Sequence, residues 1–235
     1  MPDYEYIYNH QADLYERLVG HEDYEGNLMR ALEGVVDFRG LDVVETGAGT
    51  GRVTGMLARL AGSMRVFDRS AHMLARARGR LARSGLAQWR AAVADHRYLP
   101  VESGSADVVI SGWSVCYLAV NSGEAWQVEV EKGLNEFRRV LRPGGKVILI
   151  ETLGTGYETP TRPASLADYL GYLEAHGFQS AVVRTDLRFE SLEEERELVS
   201  FFFGEAMVER VKVEEAGVIL PECTGVWWDQ RIGNE

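Results

Sequence analysis

The sequence predicts an α/β fold, a mostly parallel sheet with helices on both faces. Three observations carry this. Five short strand-like runs fall between residues 41 and 151. Helical patterns alternate with most of them, which is the rhythm of βαβ units. A glycine loop stands directly behind the first run, where such units turn from strand to helix.

The elements can be taken in chain order. Residues 1–40 read as two helices, with Tyr8, Ala12, Tyr15 and Val19 along one side of the first and Leu28, Leu32, Val35 and Val36 along one side of the second. Residues 41–46 are short and β-branched, as a buried strand is. Next come a helix over 52–60, a strand over 64–68, a helix over 71–83 and strands over 88–93 and 107–111. Residues 124–141 carry helical spacing in Val130, Leu134, Phe137, Val140 and Leu141. The breaker cluster Arg142-Pro143-Gly144-Gly145 must then be a turn into a fifth strand over 146–151.

The last third predicts a helix over 166–175, a strand over 181–189 and a helical stretch from 192 to about 213, broken near Gly204. A final strand lies within 217–229, interrupted at Pro221. Phe201, Phe202 and Phe203 point in three directions on a helix, so core packing and a pocket wall both stay open.

Composition bounds the function. The chain has 235 residues, 46% hydrophobic and 26% charged, enough for one domain with a sizeable core and unlike a disordered or fibrous chain. No apolar run suits a bilayer, and the N-terminus lacks a signal-peptide pattern. With only Cys116 and Cys223, a reduced, cytoplasmic pair is expected; zinc and iron–sulfur sites lack ligands, so no metal is expected. A net charge of −11 disfavours a nucleic-acid substrate. Arg76, Arg78, Arg80 and Arg83 spread around their helix as a solvated face would.

The strongest chemical signal is Glu45-Thr46-Gly47-Ala48-Gly49-Thr50-Gly51-Arg52. Three alternate glycines let a ligand approach backbone that side chains would otherwise cover. The dinucleotide fingerprint would place its last glycine at 52, where Arg52 stands. An acid can accept from an ammonium, while loop amides and a helix N-terminus face a carboxylate.

On these residues the chain resembles the class I, Rossmann-like S-adenosylmethionine-dependent methyltransferases of the small-molecule type, from about Tyr8 to the C-terminus. The resemblance implies that Glu45, Gly47, Ala48, Gly49 and Gly51 hold the methionine part of the cofactor, S-adenosylmethionine. It implies that Asp68, beside Arg69, accepts the ribose hydroxyls, although an acid there could also cap the next helix, a task for which Ser70 is better placed. Met73 would pack on adenine or serve the core. Ala94-Asp95-His96 resembles the family segment whose aspartate accepts from the adenine amino group. Ser111 ends the fourth strand where the methyl should point, and Trp113 either walls the pocket or covers the sheet end. Tyr8, Tyr15 and Tyr117 complete the candidate acceptor site.

With the element order, this predicts a seven-stranded doubly wound sheet of order 3-2-1-4-5-7-6, its last strand antiparallel. One domain is expected over 1–235: a helical cap (1–40), a cofactor core (41–152) and a C-terminal part with a substrate-covering insertion (153–235). The expected reaction is in-line methyl transfer to a small-molecule acceptor, with no membrane partner. His10, His21 and His96 are the candidate general bases. A (Asn/Asp/Ser)-Pro-Pro-(Tyr/Phe) motif for amide or ring-amino nitrogen is absent after the fourth strand, and the cysteines needed for arsenic chemistry are lacking. A non-catalytic binder of S-adenosylmethionine or S-adenosylhomocysteine is the alternative. A nicotinamide-dependent oxidoreductase is a second, which the loop spacing opposes.

Overall fold

The computed structural model describes residues 3–83 and 89–230. Three helices open the chain: α1 (Tyr4–His10), α2 (Ala12–Val19) and α3 (Asn27–Val35). The core then runs β1 (Asp42–Thr46), α4 (Arg52–Leu57), β2 (Ser63–Asp68), α5 (Ala71–Arg83), β3 (Trp89–Val93) and β4 (Ala106–Gly112). After it come α6 (Cys116–Asn121), α7 (Trp126–Val140), β5 (Leu141–Thr155), α8 (Ala167–Ala175) and β6 (Gln179–Arg184). The chain ends through β7 (Leu187–Phe189), α9 (Leu192–Phe203), α10 (Glu205–Val208), β8 (Lys212–Glu214), β9 (Gly217–Leu220) and β10 (Glu222–Gln230).

The main sheet has the order β3-β2-β1-β4-β5-β10-β6, with β10 antiparallel to β5 and β6. That is the expected arrangement, with β10 taking the part of the expected strand 7, between β5 and β6. Pairing of β5 with β4 jumps from Leu141 to Lys146, so the Pro143-Gly144 turn loops out as the breaker cluster demands. The β1–β2 and β1–β4 ladders are parallel, so the glycine loop emerges at the carboxyl end of a central strand.

Four expectations are corrected. The first two helices are three, because Gln11 ends α1 and opens α2 while the Tyr8–Ala12–Tyr15 pattern runs across the junction. The strand expected over 181–189 is two: at Thr185-Asp186 the chain leaves the main sheet, and Asp186 Oδ1 accepts from Glu222 N at 2.8 Å. The helical stretch breaks at Gly204 as expected but ends at Val208, and Lys212–Glu214 pairs as a strand. The final strand divides at Pro221, which has no N–H for a ladder. Its halves serve different sheets, β9 lying between β7 and β8 in a small three-stranded sheet. Helix α6 had no periodic signal, the helix after the glycine loop stops at Leu57, and residue 88 lies outside the described residues.

Two apolar clusters cover the sheet. Val130, Leu134, Phe137, Tyr169 and Trp227 pack on one face, and Leu28, Leu32, Phe38, Leu57 and Ile110 on the other. A third cluster joins Leu18 of α2 to Leu198 and Val199 of α9 and to Leu187, Val218 and Leu220 of the small sheet. Distant segments thereby become one cap. Leu18 is fully buried there, so Leu18→Ala is expected to cost about 2–5 kcal/mol in urea unfolding. A loss under about 1 kcal/mol would show that α2 does not anchor the cap. Cys116 and Cys223 are buried free thiols. Among the described residues no helix is long and apolar enough to cross a membrane.

Candidate functional site

The turn from β1 into α4 places Gly47, Gly49 and Gly51 at φ of 71°, 56° and 83°. The three glycines differ in what surrounds them. A Cβ on Gly49 would meet just Tyr15 Cε1, at 3.8 Å. A Cβ on Gly47 would lie 2.0 Å from Ser114 Oγ, and one on Gly51 would press at 3.2 Å on Ala77 and Leu81 of α5. Gly47 and Gly51 are therefore fixed by packing.

Asp68, at the end of β2, reaches back to this turn. Its Oδ2 accepts from Gly49 N at 2.8 Å and its Oδ1 from Ser70 N at 2.7 Å. Burial nevertheless raises its carboxyl pKa. Ser70 takes the capping task, its Oγ accepting from Met73 N at 3.3 Å while donating to Tyr8 O at 2.9 Å. The second contact ties α1 to the loop after β2. Arg69 is exposed and Met73 buried. Ala48 is buried, with its N donating to Phe67 O. Glu45 is buried, accepts from Thr54 Oγ1 at 2.5 Å, and is pushed up to about 8 by burial.

After β3, Ala94 N donates to Asp68 O at 3.1 Å. Asp95 accepts from Arg97 with both oxygens, at 2.7 Å to Nε and 2.9 Å to Nη2, and this pairing holds its carboxyl near 2. His96 is buried, its Nδ1 2.7 Å from Thr46 Oγ1 and its Nε2 2.9 Å from Ser114 Oγ. Burial pushes its imidazole down to about 4, so it is neutral at pH 7. Both ring nitrogens are occupied, which removes it as a free general base. Thr50 Oγ1 and Ser111 Oγ are buried without a hydrogen-bond partner.

The other two histidines stand elsewhere. His10 is exposed against the Tyr6 ring, and His21 lies on Phe189 with its Nδ1 2.8 Å from Arg188 O, at the small sheet. Tyr8, Tyr15 and Tyr117 do come together. The Tyr8 and Tyr117 hydroxyls are 2.7 Å apart, and the Tyr8 and Tyr15 rings 5.5 Å. Phe202 closes this group at 5.3 Å from Tyr15 and 5.2 Å from Tyr4, and both Phe202 and Phe203 pack against the third core.

Trp113 stands at φ 48°, an uncommon conformation for a bulky residue and a place where strain is stored. The Arg52 guanidinium lies 4.6 Å over its ring and pairs with Glu22. Sequence reasoning missed Arg52, Ser114 and Glu222. Only Arg52 carried a signal, as the residue replacing a dinucleotide-type glycine.

The methyltransferase-domain family profile matches residues 44–149, the span holding this loop, Asp68, Asp95 and Trp113. The chain is 27% identical to an uncharacterized methyltransferase, YodH of Bacillus subtilis (strain 168), over 63% of this chain and 66% of that protein. It is 30% identical to a demethylmenaquinone methyltransferase of Clavibacter sepedonicus, over 60% of this chain and 51% of that protein. The matches thus span under two thirds of either relative. Its fold resembles the crystal structure of a SAM-dependent methyltransferase from Aquifex aeolicus, with a TM-score of 0.58 at 16% identity over 94% and 98% of the two chains. Residues 44–149 are thus similar to the methyltransferase domain family, and the whole chain shares the fold of the Aquifex aeolicus structure. Within the matched span, Ser114 fills the space beside Gly47.

Proposed function

We propose that this chain is a methyltransferase that transfers a methyl group from S-adenosylmethionine to a small-molecule acceptor above β1 and β4. The observation that carries the reading is the uncovered backbone of Gly49, held by Asp68.

The residues present fit the cofactor. Gly49 leaves a face that any Cβ would fill. Asp68 has lone pairs left for two ribose hydroxyls after binding Gly49 N and Ser70 N. Thr50 Oγ1 and Ser111 Oγ are buried polar atoms without a partner at this end of the sheet. Glu45 is a buried acid whose ionised form an ammonium would favour. Asp95 fits less well, since an adenine amino group would share a carboxylate already holding Arg97.

Bound S-adenosylmethionine supplies an electrophilic methyl on a sulfonium, so the protein's contribution is position and dryness. Tyr8, Tyr15, Tyr117 and Phe202 exclude water, and α1 with α2 is the cap that carries two of them. Two free thiols in the core support a cytoplasmic setting.

Mass spectrometry of ligand retained through purification is expected to find S-adenosylmethionine or S-adenosylhomocysteine. A nicotinamide nucleotide would overturn the reading. S-adenosylhomocysteine binding with no methyl transfer in a metabolite screen would leave a non-catalytic binder.

A further inference from the structure

Two buried charged side chains near the aromatic group have unmet hydrogen-bonding capacity of opposite kinds. Glu222 opens β10 and is 4% exposed. Its Oε1 accepts from Thr155 Oγ1 at 3.3 Å, while its Oε2 is buried with no partner. Arg52 opens α4; one nitrogen pairs with Glu22 and its Nη2 is buried with no partner. The charges of Arg52 and Glu222 act on each other, and both act on Tyr15, which also feels Asp68. Tyr15 therefore stands between the Gly49–Asp68 side and the Arg52–Glu222 side. Asp186, paired with Arg184, is the other charged neighbour of Glu222, through its backbone N–H.

Leaving such atoms unpaired in a fold is costly, on the order of 1–3 kcal/mol each and more for charges. A group that satisfies both must donate to Glu222 and accept from Arg52. An ammonium would meet Arg52 as a like charge, and a carboxylate would meet Glu222 as one. A neutral hydroxyl does both at once. Burial raises the basicity of the Glu222 carboxylate. A phenol or enol, with a pKa of about 10 for a phenol, gives up its proton to such a base far more readily than an alkanol. Tyr15, which feels both charges, meets the rings of Tyr8 and Phe202, and such rings suit a flat, conjugated body.

We propose that Arg52 and Glu222 seat the methyl acceptor as a phenolic or enolic hydroxyl, and that Glu222 takes its proton. This rests on the methyltransferase reading above. The acceptor oxygen forms a bond to the methyl carbon, and its proton passes to Glu222 Oε2. The bond from that carbon to the sulfonium sulfur breaks, with its electron pair remaining on sulfur. Glu222 then returns the proton to solvent.

The test uses the full chain saturated with S-adenosylhomocysteine, titrated calorimetrically with phenol, benzoate and benzylammonium. Phenol is expected to bind at least about tenfold more tightly than either ion. In Glu222→Gln, S-adenosylhomocysteine affinity should stay within about twofold. Phenol should weaken about tenfold and benzoate should gain, because the carboxylate that repels it is then gone. With S-adenosylmethionine, methylation of phenol should fall about 100-fold or more in this variant, the usual contribution of a general base. If S-adenosylhomocysteine binds and phenol shows no preference over the ions, the seat holds water alone or another charge type and the proposal is overturned. If S-adenosylhomocysteine itself does not bind, the underlying reading fails and takes the proposal with it.

Discussion

Replacing Gly49 by valine is expected to abolish measurable S-adenosylhomocysteine binding while most of the fold survives. A β-branched residue at φ 56° costs about 1–3 kcal/mol, which a domain of this size tolerates. Its side chain would project into the one uncovered face of the loop, 3.8 Å from Tyr15 at the Cβ. The loss of binding then comes from occupied space. Gly47→Ala should behave in the opposite way. Its Cβ would lie 2.0 Å from Ser114 Oγ and 2.3 Å from Ser114 Cβ, so folding stability suffers first. Adding Ser114→Gly should recover much of that stability. Calorimetric titration separates binding from folding, which urea unfolding tracks. A Gly49→Val protein binding within about tenfold of wild type would remove Gly49 from the site.

The second expected result is a fall in the stability of the unliganded protein as pH rises from 6.5 to 8. Burial raises Glu45 from 4.5 to about 8 and Glu151 from 4.5 to about 7, and it raises Glu222 as well. Over that range the folded state keeps protons that the unfolded chain has released, so it is favoured at low pH and loses ground as pH rises. His96 works the other way. Its pKa falls from 6.5 to about 4, so its neutral burial costs stability as pH drops below 6.5. Above pH 6.5 the histidine adds only a small opposing slope and the carboxyls dominate. The unfolding free energy should fall by about 3 kcal/mol between pH 6.5 and 8. Glu45→Gln, which keeps an acceptor for Thr54 Oγ1, should remove about half of that slope. Urea titrations at both pH values would contradict this if wild type were flat or the variant equally steep.

Much of this molecule is legible along the chain because its signals are local. The β-branched run before the glycines, the Pro143-Gly144 break and the even spacing of βα units predict the five parallel strands and their order. Gly204 and Pro221 mark real breaks because a conformational constraint acts on its own residue. Where the chain goes after such a break depends on distant partners. Residues 179–184 and 187–189 both read as strand, and only their partners place one in the main sheet and the other under the cap.

The candidate site divides in the same way. Residue type and spacing are enough to mark the glycine loop as a ligand-binding candidate, and the family resemblance adds Glu45 and Asp68 as candidates, since tight turns and charged ends carry their chemistry wherever they fold. They do not reveal that Ser114 fills the space at Gly47, that Arg97 holds Asp95, or that His96 is neutral and occupied. Nor do they show Arg52 near Glu222, from the other end of the chain, each with an unpaired atom. Those facts arise when folding removes water from groups far apart in sequence. Which hydrogen bonds go unmet, and which pKa values move, then depends on what packing brings beside them.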